Sequence, residues 1–138
     1  MRIPRFLRLW LGAVAVALLP FAAAHAVVPT QEQAIAVIRA LDKMTARVEE
    51  IELPVGKTIS FGNLAIMART CRVTLPEETP PESAAYLEIS EVKPGAPDTP
   101  VFNGWMFASS PALSAMEHPI YDIWVTGCAD DNTHTQIK

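Results

Sequence analysis

The chain has 138 residues, with 11 Lys and Arg against 15 Asp and Glu, a formal net charge of −4, and 12 prolines. This length accommodates one domain with one real core and excludes two. A negative balance without a basic stripe argues against nucleic acid and against anionic membrane surfaces as partners.

Residues 1–10 carry Arg2, Arg5 and Arg8, and an apolar run from Leu9 to Ala24 follows, interrupted by Gly12 and Pro20. It exits through Ala24-His25-Ala26. A charged start, an apolar middle and a small-residue exit predict a secretory signal peptide over 1–26, cut after Ala26. The rival is an uncleaved anchor. A bilayer span needs about 20 apolar residues, and Pro20 would break the last turn. No cysteine stands at the cut to accept lipid. The expected mature chain keeps all 15 acids, and the only charged residues it loses to the leader are Arg2, Arg5 and Arg8, so it is more acidic than the whole. No further apolar run of spanning length is present. The expectation is a periplasmic or secreted protein with no membrane span after cleavage.

That compartment bears on Cys71 and Cys128, the only two cysteines. Where the environment is oxidising, two cysteines usually pair. A C-x-x-C redox spacing is absent, and two isolated cysteines do not make a zinc site. A structural disulfide between them is expected.

Residues 27–34 read as a polar lead-in without clear structure. Two readings compete for residues 34–42. Thr30-x-x-Gln33 resembles a helix capping box, with Ala34, Val37, Ile38 and Leu41 at helical spacing. Against this, Asp42-x-x-Thr45 is a tight hairpin loop, held by side-chain bonds to local backbone, and Ile35, Val37 and Val48 favour strand. The hairpin is preferred, although Ala46 stands where such loops want glycine. Pro54-Val55-Gly56 is a turn. Residues 57–61 form a strand with Ile59 and Phe61 inward, and Gly62-Asn63 marks a two-residue hairpin turn. A long strand covers 64–75; its apolar parity slips, which predicts a bulge between Met67 and Thr70. Residues 76–83, with Glu77, Glu78 and Glu82 among three prolines, read as a solvated loop. Strands follow over 84–92 and 101–108, separated by a turn at 94–98. Ser109–Pro119 resists a strand reading, and a helical turn there would lay Leu113 and Met116 onto the sheet. The last strand, to Cys128, is apolar on both parities and reads as central.

The expected fold is all-β: a small antiparallel β-sandwich or barrel of about seven strands, with one irregular or short helical segment near 109–119. Its organisation is a lead-in over 27–34, a single β-domain over 35–128 and a polar tail over 129–138.

The stretch from Gly104 through Trp105, Ser109-Ser110-Pro111 and Glu117-His118-Pro119 to Trp124 resembles the signature of DUF2155, a family of unknown function found in exported proteins of alphaproteobacteria. Ala40-Leu41-Asp42-Lys43-x-Thr45, Pro54-Val55-Gly56, the Cys71 strand, Glu77-x-Thr79-Pro80 and Trp124-x-x-x-Cys128 fit it too. The resemblance covers about Arg39 to Cys128. Family members often carry Gly where Ala46 stands. It implies one exported domain with paired cysteines and assigns no catalytic residue.

The chemistry-bearing residues admit three classes of function. The leading expectation is a non-catalytic exported β-domain that binds a periplasmic or envelope protein, or another envelope component. Its candidate surface is Trp105, Ser109, Ser110, Glu117 and His118, because loops on a rigid scaffold carry function. The second is a periplasmic hydrolase with Ser109 or Ser110 as nucleophile, His118 as base and Asp122 as orienter. It lacks a Gly-x-Ser-x-Gly elbow and a glycine-rich oxyanion loop. The third is a carrier of small apolar ligands. A metal site on Glu117, His118 and Asp122 offers a single histidine, so no metal and no cofactor is expected, and the balance leans against an enzyme. Trp105, Phe107, Tyr121 and Trp124 are expected mostly in the core, with one aromatic exposed.

Overall fold

The structure is a computed structural model that describes residues 28–131. The signal peptide expected over 1–26 and most of the polar tail lie outside them. The described residues form eight strands and one 3-10 turn. The strands are β1 (Gln31–Gln33), β2 (Ile35–Asp42), β3 (Arg47–Pro54), β4 (Thr58–Phe61), β5 (Leu64–Val73), β6 (Ser83–Glu91), β7 (Thr99–Phe107) and β8 (Tyr121–Ala129), and the 3-10 turn is Pro111–Ser114. Seven of the strands are those expected. The eighth, β1, lies in the stretch read as an unstructured lead-in. Gln31-Glu32-Gln33 has no apolar alternation to reveal it, and it forms by pairing with Val73, Arg72 and Cys71 at the end of β5.

Residues 35–42 are strand, not helix. The deciding chemistry is local. Asp42 Oδ1 accepts the N–H of Met44 at 2.8 Å and of Thr45 at 3.3 Å, which turns the chain. Ala46 then takes a left-handed φ of 56°, and β3 returns in register from Asp42↔Arg47 to Ile35↔Pro54. Burial pushes the Asp42 carboxyl up. The two backbone bonds, a side-chain bond from Thr45 and the charge of Arg47 outweigh it and hold the group below its ordinary value.

The strands build two antiparallel sheets, one ordered β1-β5-β6-β7 with β4 also on β5, the other β3-β2-β8. The turn between β4 and β5 needs glycine twice over. Gly62 has φ 57°, and a Cβ there would collide with the Tyr121 hydroxyl. The register of β5 against β6 shifts between Ala68 and Thr70, where the parity slip placed a bulge. Alternate residues face inward from both sheets, and Ile38, Leu53, Leu64, Ile66, Leu87, Ile89 and Val125 meet in one fully buried core. Cys71 of the larger sheet and Cys128 of the smaller are joined as a disulfide, with Cα atoms 5.8 Å apart.

One expectation about the sheet is corrected. The last strand, β8, is an edge of the smaller sheet, and β2 is its centre. Both parities of β8 are apolar for separate reasons. Ile123 and Val125 enter the core; Trp124 lies opposite Arg39 on the outer face, and the Tyr121 ring meets Phe61 edge-on at 5.5 Å.

Candidate functional site

The chain between β7 and β8 is pinned near both ends by polar contacts. At its start, Glu82 reaches across from the loop before β6. Its Oε1 accepts the N–H of Ser83 at 3.0 Å and of Ser109 at 3.1 Å, and its Oε2 takes the Ser109 hydroxyl. The acidic, proline-rich loop is therefore solvated only in part, since Glu82 anchors Ser109. At the other end, His118 Nδ1 accepts the N–H groups of Ile120 at 3.1 Å and Tyr121 at 3.2 Å. The imidazole lone pair thus caps the entry into β8, which places the ring proton on Nε2. The residue is only 9% exposed, and its ring stacks on Tyr121 at 5.3 Å. Lys43 from the β2–β3 loop completes this anchor, donating to the His118 carbonyl at 2.7 Å and pairing with Asp122 Oδ1 at 3.0 Å.

These partners keep the residues of the hydrolase reading apart. The Ser109 hydroxyl is engaged by Glu82, His118 Nδ1 by backbone, and Asp122 by Lys43. Ser109 lies at the end of the larger sheet where Val73 pairs with Ser83. His118 stacks on Tyr121, which meets Phe61 beside the β4–β5 turn, at the opposite end. No relay from Asp122 through His118 to Ser109 is assembled. Among the described residues, no group of three or more His, Cys, Asp or Glu side chains is placed to hold a metal ion. The space a carrier would use between the sheets is filled by the apolar core.

Between the anchors, Leu113 and Met116 do not share a face as their spacing suggested. The 3-10 turn ends at Ser114, and Ala115 is extended, with φ −73° and ψ 138°. Met116 consequently points into the core at 5% exposure while Leu113 is 71% exposed. A shallow groove runs beside it, with Pro111, Ala112, Ala115 and Met116 on one wall and Asp122, Ile123 and Trp124 on the other. It adjoins a second depression lined by Lys43, Glu117 and His118, and the two share Met116 and Asp122. Ser110, next to Pro111 in the chain, and Glu117, which lines the second depression, are both exposed.

The candidate surface is thereby divided. Met106 is the inward residue of β7, so Trp105 and Phe107 stand on the outer face of the larger sheet. Trp105 is 37% exposed and meets Tyr86 edge-on at 5.7 Å. The expectation that most of the aromatics fill the core is corrected by parity: alternation along β7 permits either phase, and Met106 takes the interior. Sequence reasoning also missed Glu82 and Lys43, whose roles arise from contacts 27 and 75 residues away in the chain.

A family described as "Uncharacterized protein conserved in bacteria (DUF2155)" matches residues 36–128. An uncharacterized protein of Rickettsia prowazekii (strain Madrid E) is 40% identical over 91 residues, covering 66% of this chain and 58% of the relative. The chain thus spans well under two thirds of the length of that curated relative. No solved structure matches it.

Proposed function

We propose that this chain, which belongs to the DUF2155 family, works as a non-catalytic binding module exported to the periplasm or beyond, where it engages a protein or another component of the cell envelope. Export is supported by the arginine-led apolar leader ending in Ala24-His25-Ala26 and by the Cys71–Cys128 pair. Among the described residues no helix is long and apolar enough to cross a membrane.

The observation that carries the binding reading is Leu113. A large apolar side chain stands 71% exposed on a connection that Glu82–Ser109 and Lys43–His118 hold at either end. A side chain that left water during folding would have reached the core, as Met116 does. Leu113 instead stands between Ala112 and Ala115, which line an apolar groove, with the exposed Ser110 and Glu117 close by in the chain, an arrangement suited to a partner that covers the apolar centre and meets polar groups around it. Ser109 and His118 serve this surface as its anchors.

The test uses the exported protein as bait in extract of its native envelope. Leu113→Asp is expected to abolish retention of whatever wild type captures while the urea midpoint stays within about 0.3 M. Equal capture by both proteins would refute the assignment of this surface.

A further inference from the structure

The edges of the two sheets are guarded unequally. A strand edge presents unpaired N–H and C=O groups, and natural proteins blunt it with charge, proline, shortness or cover. On the smaller sheet, β3 carries Arg47, Glu49, Glu50 and Glu52 and ends in Pro54. The edge of β8 is covered: His118 takes the Tyr121 N–H, and Ile123 and Val125 are 3% and 1% exposed. One edge of the larger sheet is divided between β1 and β4, of three and four residues. The other edge, β7, has nine residues and no charged side chain, and both Asn103 and Trp105 are exposed on it.

Register fixes which backbone groups of β7 are free. Opposed residues of antiparallel strands exchange hydrogen bonds at alternate positions. Ala108 N–H donates to the Ser83 carbonyl at 2.8 Å, so Met106 and Gly104 bond Ala85 and Leu87 of β6. Phe107, Trp105 and Asn103 therefore turn their N–H and C=O groups outward, and the Phe107 carbonyl, which accepts from Ser110, agrees with this phase. Asn103 and Trp105 each keep a donor and an acceptor that no hydrogen bond among the described residues uses. These groups are complementary to themselves. We propose that β7 pairs antiparallel with β7 of a second copy of this chain, about a two-fold axis at Gly104. The axis sets Asn103 opposite Trp105 of the second copy and Trp105 opposite its Asn103, so the outward donors of each chain meet the acceptors of the other. An acidic chain would repel its own copy at a charged edge, but β7 brings no like charges together. The two Trp105 side chains share one face, diagonal across the axis at about 7–8 Å, within aromatic reach. Pairing ends where β7 shifts register against β6, between Ile89 and Ser90. So short a contact falls below the roughly 1,200 Å² of stable complexes, which makes the dimer a transient one.

Sedimentation equilibrium of the protein purified after export is expected to show monomer and dimer in a concentration-dependent balance. In 15N-labelled protein, amide exchange at Asn103 and Trp105 is expected to slow at least threefold from the dilute to the concentrated end, while Gly104 and Met106, already bonded to β6, stay unchanged. Asn103→Glu and Asn103→Lys each set like charges diagonally across the axis at an exposed site. Each alone is expected to be monomeric with an unchanged thermal melt, and an equimolar mixture of the two is expected to dimerise. Leu113→Asp is expected to dimerise as wild type does, so this proposal and the Leu113 surface fail separately. Wild type that stays monomeric at every concentration would overturn the proposal, as would a dimer that survives in both charge variants or a mixture that does not associate. Protection falling on β4 instead would move the contact to the other edge. Protection of Asn103 and Trp105 only on addition of envelope extract would give the edge to a different protein, and either result would also overturn self-pairing through β7.

Discussion

Replacing both Cys71 and Cys128 by alanine tests how the two sheets are held together. The cysteines are 57 residues apart in sequence. Cross-linking so long a loop removes chain entropy from the unfolded state worth about 4 kcal/mol in the loop-closure model. Alanine is chosen over serine because Cys71 is fully buried, and a serine hydroxyl there would add the cost of an unmet hydrogen bond. A domain of this size has about 5–15 kcal/mol in total, so the loss is large but leaves a folded state to measure. With a urea slope of about 2 kcal/mol/M, the midpoint is expected to fall by about 2 M. Urea titrations of oxidised wild type, wild type in reductant and the double variant decide the matter. The last two are expected to agree, since both release the same loop. If all three midpoints coincide, the link contributes nothing and the entropy argument is wrong.

Other perturbations follow from single residues. Ala46→Gly is expected to stabilise the protein by about 0.5–1 kcal/mol, the left-handed penalty of about 1–2 kcal/mol less the unfolded-state entropy of glycine; a lower urea midpoint would contradict it. Asp42 has a lowered folded-state pKa, so its contribution is present above the unfolded carboxylate value of about 3.9 and is lost as pH falls through the folded value. The midpoint gap between wild type and Asp42→Asn is therefore expected to be wider at pH 7 than at pH 3, and an equal gap would contradict the assigned bonds. Met116→Ala is expected to cost about 2–4 kcal/mol and Leu113→Ala less than about 0.5 kcal/mol, read as paired thermal melts. A large cost at Leu113 would place it in the core. His118→Ala is expected to destabilise by about 1–2 kcal/mol because two part-buried N–H donors lose their acceptor; an unchanged midpoint would return His118 to the rim.

The parts of the fold legible in the sequence are those decided by neighbouring residues. Asp42 and Thr45 turn the chain within four residues, Gly62 sits where positive φ is needed, and the bulge shows as a parity slip inside one strand. What escaped depends on partners far away in sequence. β1 exists because β5 extends to meet it. β8 reads as central from its apolar composition, yet its place at an edge is fixed by which strands find β2. The phase of β7 cannot be taken from alternation alone, since Trp105 and Met106 are both apolar and only packing against the other sheet selects Met106. The candidate surface divided for a similar reason. Ser109 and His118 lie nine residues apart, but Glu82 draws one to one end of the larger sheet while Tyr121 and Lys43 hold the other at the opposite end.

The binding claim meets its most direct test in living cells of the native host. A photo-crosslinking amino acid placed at Leu113 samples whatever lies against that surface, and the same residue at Val92, which is also exposed, samples a surface with no assigned role. A discrete adduct is expected from position 113, absent from position 92, on a chain whose N-terminus has been processed after Ala26. Identical crosslinking from both positions, or an unprocessed chain beginning at Met1, would contradict it.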